Sequence, residues 1–279
     1  MNKILLVASG GLANRMRAIA SVIALAEERH CTPTIVWTCN SDLNAPLSDI
    51  FLTKPFSDVQ VIAPSAIDAI LKYEIPRKKN LYLSSIYQRC NFDVCIYEGI
   101  NFSSYTDENN HLIDNKINTA KRVFIFTGSA FCDYSDQLYQ SLFRFSPVVT
   151  ARASEIAGGN VCFDAGMHIR RTDNRQSINE SPLSLFEKQA QEIVSNNSKA
   201  RLFLATDDQL VKQHFHNLFP DNIIFNATPA SRITREGMID GAAEMYILSQ
   251  CNQIFGSYWS SYTEAAATIG NKPLSIVRK

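Results

Sequence analysis

The sequence predicts an α/β protein built from two halves, each with a mostly parallel sheet, and three observations lead there. Apolar runs of strand length recur along the chain, helical periodicity fills many of the gaps, and polar or glycine-rich motifs follow several runs directly. Such alternation favours doubly wound sheets, which bind ligands outside the carboxyl ends of their strands. With 279 residues, 46% hydrophobic and 19% charged, the chain is long enough for two cores.

The first element is the apolar run Lys3 to Ser9, read as a buried strand. Gly10 and Gly11 make a tight turn, and Met16, Ile19, Ala20, Ile23 and Ala24 then fall on one helix face. A strand at Thr34 to Trp37 completes a βαβ unit, whose crossover requires parallel pairing. Residues 40–54 are polar and punctuated by proline. Further strands are predicted at Val59 to Ala63, Asn80 to Ser84, Val94 to Tyr97 and Arg122 to Phe126, with a surface loop over Tyr105 to Lys116. A helix from Pro147 to Ala157 ends at Gly158-Gly159, which places a domain junction near Ser146 to Asn160 and gives domains 1–150 and 151–279. The second half alternates more regularly, with strands at Phe163 to Ile169, Arg201 to Ala205, Asn222 to Phe225, Gln253 to Gly256 and Leu274 to Val277.

Charge and cysteine content narrow the function. Lys plus Arg and Asp plus Glu number 27 each, so no global field favours nucleic acid or an anionic surface, and any phosphate site must be local. Seven cysteines without C-x-x-C spacing read as reduced thiols with neither a disulfide framework nor a metal site. Ile4 to Ala8 is too short for a signal-peptide core, and no run approaches the ~20 apolar residues of a membrane span, so a cytoplasmic protein is expected.

Four motifs sit where strands end. His168-Ile169-Arg170-Arg171-Thr172-Asp173-Asn174 closes one strand. Adjacent guanidinium forks match phosphate oxygens bidentately, and strand alternation turns Arg170 and Arg171 to opposite sides. A surface Arg–Asp network is the plain alternative. Gly10-Gly11-Leu12-Ala13-Asn14-Arg15 offers a close backbone approach at a helix start, but lacks both the third glycine of a dinucleotide loop and the lysine of a P-loop. Thr206-Asp207-Asp208 can bind a metal, hold a ribose hydroxyl, pair with the arginines or cap the next helix. Gly256-Ser257-Tyr258-Trp259-Ser260-Ser261 precedes an alanine-rich helix, a pattern that fits phosphate binding or simple serine capping.

Taken together, HIRRTDN, FLATDD and GSYWSS, with GGLANRM at the front, resemble the fucosyltransferase superfamily of α1,6-, nodulation and protein O-fucosyltransferases. HIRR and GGLANR are also similar to α1,2-fucosyltransferase motifs. The resemblance covers most of residues 163 to 270 and roughly the first thirty. It implies a GT-B-like fold of two Rossmann-like domains, the N-terminal one on the acceptor side. It further implies inverting transfer from GDP-fucose to a glycan hydroxyl, with no cofactor and no metal. On this reading Arg170, Arg171, Asp173 and Glu180 are catalytic candidates, with Asp173 or Glu180 accepting the hydroxyl proton. Gly10, Gly11, Asn14, Arg15, His168, Asp207, Asp208, Ser260 and Ser261 are expected to bind the donor. Glu244 joins them as the reader of guanine, because alignment on Leu248-Ser249-Gln250 places it where α1,6 enzymes carry an aspartate; Asp240, one turn earlier, is its rival. A lysine follows the motif's aspartate in the α1,6 enzymes, where Asn174 stands here. The alternatives are a transferase using another nucleotide sugar and an inactive sugar- or nucleotide-binding relative.

Overall fold

The computed structural model describes residues 3–113, 117–172 and 175–279. The chain divides into two compact units, Met1–Arg144 and Phe145–Lys279. The first unit's sheet has strands β1 (Lys3–Ala8), β2 (Pro33–Val36), β3 (Gln60–Ile62), β4 (Val94–Tyr97) and β5 (Arg122–Thr127) in the order β3-β2-β1-β5-β4, all parallel. The second has β6 (Ala165–Ile169), β7 (Leu202–Thr206), β8 (Ile223–Phe225), β9 (Ile254–Ser257) and β10 (Leu274–Val277) in the order β10-β9-β6-β7-β8, again all parallel. The expected pair of Rossmann-like units is the fold found.

Continuous apolar runs become central strands because both of their faces are covered. β1 and β7 are buried along nearly their whole length, whereas the edge strand β3 is largely exposed. Sequence direction reverses across the sheet between β1 and β5 in the first unit and between β6 and β9 in the second. These are the switch points where crossovers leave in opposite directions and open a crevice at the carboxyl ends.

The helix Pro147–Ile156 starts with proline at its first position and is capped by Ser146, whose Oγ accepts from the Val149 N–H at 3.3 Å. It packs against the helix Arg235–Gln250, so it belongs wholly to the second unit, and the division falls before it at 144/145. Asn80 to Ser84, expected as a strand, is instead a turn leading into the helix Leu83–Asn91. Leu81 and Tyr82 face solvent, and both adopt left-handed backbone conformations that break an extended strand. In the loop expected over 105–116, Thr106 and Leu112 pair across an isolated bridge, while 114–116 lie outside the described residues.

Candidate nucleotide site at the switch point of the second sheet

β6 delivers Arg170 and Arg171 to the crevice beside β9. The Arg170 N–H donates to Ser257 Oγ at 3.1 Å, and Ser257 Oγ donates to the His168 carbonyl at 3.2 Å, so the end of β6 is laced to the end of β9 beyond their ladder. Arg171 sends Nη2 to the Ser181 carbonyl at 2.7 Å and Nη1 to the Ile178 carbonyl at 3.4 Å, bracing the helix Arg175–Glu180 and the turn after it. Burial lowers its pKa, with Asp207 and Asp208 opposing.

The two aspartates expected at the donor also serve the scaffold. Asp207 Oδ1 accepts the Arg171 N–H at 2.8 Å, while its Oδ2 accepts from the Thr172 hydroxyl at 2.6 Å and the Thr172 N–H at 3.2 Å, which straps the loop after β6. Asp208 caps the helix Gln209–Leu218 through the Leu210 N–H at 2.8 Å, the plain role weighed for it.

Across the switch point, the helix Ser261–Gly270 begins at the carboxyl end of β9 and so brings its positive, N-terminal end there, where the Thr263 and Glu264 N–H groups return to the Ser260 carbonyl at 3.1 and 3.3 Å. Its approach to the sheet depends on Gly256, where a Cβ would lie 2.5 Å from Thr263 Cγ2. That contact lets Thr263 Oγ1 stand 2.8 Å from His168 Nδ1, with Ser260 Oγ at 3.2 Å from the same nitrogen. Burial pushes His168 down to about 4, so the imidazole is neutral near pH 7, and its ring lies 4.7 Å from that of Tyr262. Ser260 is fully buried and serves this hydroxyl–imidazole cluster; Ser261 stands in the first turn of the helix.

Glu244 is buried on the helix Arg235–Gln250, which packs against Ser261–Gly270. Burial raises its carboxyl to about 7, opposed by Lys212, by a hydrogen bond with Asn226 and by Arg152, while Asp240 adds to the rise. Lys212, also buried, donates from Nζ to the Asn226 carbonyl at 2.7 Å and the Thr228 carbonyl at 3.1 Å, fixing the loop after β8 beside Glu244. The rival Asp240 is already engaged: its Oδ1 accepts Arg152 Nε at 2.6 Å. The Tyr262 hydroxyl donates to the Gly241 carbonyl, so one aromatic side chain connects the Glu244 region with His168.

The glycine loop after β1 belongs to the first unit. Gly10 has φ +76°, a Cβ there would stand 3.0 Å from Asn14 Nδ2, and Gly11 precedes the helix Leu12–Glu28 as its N-cap residue. Arg15, expected at the donor, is fully buried as a strut. Its Nε donates to the Gly10 carbonyl at 2.8 Å, Nη1 to Thr38 O at 2.6 Å and Nη2 to Asn40 Oδ1 at 3.0 Å, with the guanidinium over the Trp37 ring. Burial lowers its pKa to about 10. It therefore shapes the loop.

Next to this loop is a cavity of about 560 Å³ lined by residues of β1, β2 and β5 ends together with Asp42, Tyr73, Arg77 and Glu98. Glu98 was not singled out in the sequence, although a carboxylate directly after the apolar run of β4 is the available signal. It accepts from Ser129 Oγ at 2.6 Å, the Gly128 N–H at 2.7 Å and Thr127 Oγ1 at 2.9 Å. Burial works against its ionised form, but these bonds prevail and hold it below the usual glutamate range. Lys212 and Thr263 were missed as well. A lysine in a helix and a threonine near a helix start both look like surface residues until their burial is seen.

Glu180 lies exposed at the end of the helix Arg175–Glu180, with its carbonyl accepting the Lys279 N–H at 2.9 Å. Asp173, the other base candidate, and Asn174 lie outside the described residues. Among the described residues no three His, Cys, Asp or Glu side chains gather as for a metal ion, and no helix is long and apolar enough to cross a membrane.

No family model matches the sequence, and no curated protein matches it. Solved structures do match by fold. The α1,6-fucosyltransferase NodZ soaked with GDP-fucose superposes with a TM-score of 0.58 at 16% identity, over 96% of this chain and 93% of that one. NodZ from Bradyrhizobium gives 0.57 at 16% identity, over 95% and 93%. POFUT1 in its apo form gives 0.56 at 11% identity, over 99% and 97%. At these identities the likeness establishes a shared fold, the GT-B-like one expected from the motifs.

Proposed function

We propose that this protein is an inverting glycosyltransferase that transfers fucose from GDP-fucose to a glycan hydroxyl by a single displacement, without a metal ion. The observation that carries the reading is that Arg170 after β6 and the start of the helix Ser261–Gly270 after β9 stand at one switch point, with the buried carboxylate of Glu244 on the helix packed against Ser261–Gly270. A guanidinium fork and the positive end of a helix match a diphosphate, while a buried carboxylate matches the N1–H and amine of guanine. NodZ and POFUT1, structures of which contain GDP-fucose or GDP, share the fold.

In this mechanism the acceptor oxygen attacks the anomeric carbon as the C–O bond to the β-phosphate breaks on the opposite face. Negative charge collects on the departing diphosphate, where Arg170 and the helix N–H groups stabilise it, a role often worth more than any other single catalytic contribution. That positive potential is supplied by the chain itself, which is why no divalent ion is required. Arg171, Asp207 and Ser257 hold the loop that presents Arg170. Glu180 or Asp173 takes the acceptor proton. Glu244 selects guanine in its ionised form, with Lys212 and Asn226 favouring that form.

A donor screen tests this. GDP-fucose and GDP should raise the thermal midpoint more than ADP or UDP, because selective binding to the native state stabilises it. Slow hydrolysis of GDP-fucose, but not of GDP-mannose, should persist in EDTA. Hydrolysis of the mannose donor alone would assign a different nucleotide sugar, and binding without any hydrolysis or transfer would indicate a non-catalytic relative.

A further inference from the structure

The first unit carries a concentrated apolar surface that the proposed activity does not use. Seven of the sixteen large apolar side chains exposed among the described residues fall within residues 67–86. Ile67, Ile70 and Leu71 lie on the helical stretch Ala66–Tyr73, which packs on the helix Leu83–Asn91 through Tyr73 and Gln88. The Gln88 amide donates to the Lys72 and Glu74 carbonyls at 3.0 and 2.9 Å. Leu83 and Ile86, three residues apart, line the exposed face of the second helix. Between the two helices, Leu81 and Tyr82 stand out at 76% and 55% exposure.

That turn is strained. Leu81 and Tyr82 have φ of +51° and +54°, a region that bulky L-residues avoid, and two such residues in succession demand strong local support. Buried Asn80 provides it by donating from Nδ2 to the Ile75 carbonyl at 2.9 Å and accepting the Arg77 N–H at 2.9 Å, and the Tyr82 N–H closes on the Arg77 carbonyl at 3.1 Å. The fold thus spends conformational energy to hold a leucine and a tyrosine in solvent.

The charges around them are one-sided. Arg77, Lys78 and Lys79 are consecutive, exposed and without a carboxylate partner among the described residues, and Arg89 is exposed on the helix beyond. Of the nearby carboxylates, Asp68 pairs with Lys72 at 2.7 Å and Glu74 accepts from Asn80 at 3.1 Å, while Asp42 and Glu98 line the cavity that Arg77 and Lys79 also border. Lysine is depleted in protein–protein contacts, whereas apolar tips flanked by lysine and arginine suit a membrane surface, where the stems lie along the acyl boundary and the cations meet anionic headgroups.

We propose that the first unit docks on an anionic lipid bilayer through residues 67–89, with Leu81 and Tyr82 inserted and Arg77, Lys78 and Lys79 at the headgroups. Ile70, Arg77 and Lys79 also line the cavity beside the glycine loop, so a docked bilayer lies at its mouth. The docking does not depend on the activity proposed above.

The test is flotation of the intact protein with vesicles of pure phosphatidylcholine or with roughly a third phosphatidylglycerol, at low and high salt. Binding should favour the anionic vesicles by about five-fold or more and fall with salt. Leu81→Asn with Tyr82→Asn should abolish most of it while leaving the thermal midpoint equal or higher, because asparagine tolerates the left-handed region. Arg77→Gln with Lys78→Gln and Lys79→Gln should remove the lipid-charge preference. Equal binding to both vesicles, no binding to either, or unchanged binding by both variants overturns the proposal. So does a dimer in sedimentation that the asparagine variant dissociates without any vesicle binding, which would make the face a self-contact.

Discussion

Replacing the two adjacent arginines by methionine should separate a ligand-binding role from a scaffold role. Arg171 donates at 2.7 Å to the Ser181 carbonyl and only weakly at 3.4 Å to that of Ile178, so its removal costs chiefly one charge-assisted bond. Such bonds are worth about 1.5–3 kcal/mol, and for a half-buried guanidinium the lower end applies, about 1–2 kcal/mol. For a unit of this size that corresponds to a fall of roughly 3–7 °C in thermal midpoint. Arg170→Met should instead lose about 1.5–3 kcal/mol of GDP binding, on the order of 10- to 150-fold in Kd. Calorimetric titration with GDP and differential scanning calorimetry of the ligand-free variants supply the two readouts. Loss of GDP affinity in Arg171→Met with an unchanged midpoint, together with parent-like binding by Arg170→Met, would refute the division of roles.

Glu244→Gln should erase the preference for GDP over ADP and UDP, whereas Asp240→Asn, which removes the carboxylate from Arg152 Nε, should mainly lower stability; titration of both variants with the three nucleotides checks this. The Glu244 carboxyl is raised to about 7 in the folded state, so the native form holds more protons than the unfolded one between the two pKa values. Its contribution to ligand-free stability is then present below the unfolded value near 4.5 and lost as pH rises toward 7, while GDP affinity grows over the upper part of that window as the carboxylate forms. Parallel slopes for stability and affinity would contradict the assignment. Arg15→Met should destabilise the first unit by about 2–4 kcal/mol by leaving the Gly10 and Thr38 carbonyls unsatisfied, with GDP affinity unchanged, as measured by denaturant unfolding and titration. Gly256→Ala, whose Cβ meets Thr263 at 2.5 Å, should cost about 1–3 kcal/mol and weaken GDP binding by displacing the helix start, read by the same two measurements.

The strands were legible wherever a strand is buried on both faces, because nothing but apolar residues fits there; Lys3–Ala8 and Leu202–Thr206 are the clearest cases. Strand order was not legible, since pairing depends on crossovers that leave no local trace. The turn at Leu81 and Tyr82 was misread because Leu-Tyr-Leu has strand propensity, and only the Asn80 anchor and the exposed face reveal another use for it. The arginine pair was found from sequence, but its division was not. Alternation says that the two side chains diverge, without saying that the carbonyls of Ile178 and Ser181 await one of them. Asp207 and Asp208 were ambiguous for the same reason, since strapping a loop and capping a helix look alike in a dipeptide. Lys212 was invisible, as its burial comes from a loop fourteen residues away.

The most direct test of the central claim is a titration of the parent protein with GDP and with ADP in buffer containing EDTA. The account predicts that GDP binds at a single site without added metal and that ADP binds about 5- to 150-fold more weakly, since the loss of the guanine contacts costs roughly 1–3 kcal/mol. Absence of GDP binding until Mg²⁺ or Mn²⁺ is added, or equal binding of the two nucleotides, would contradict it.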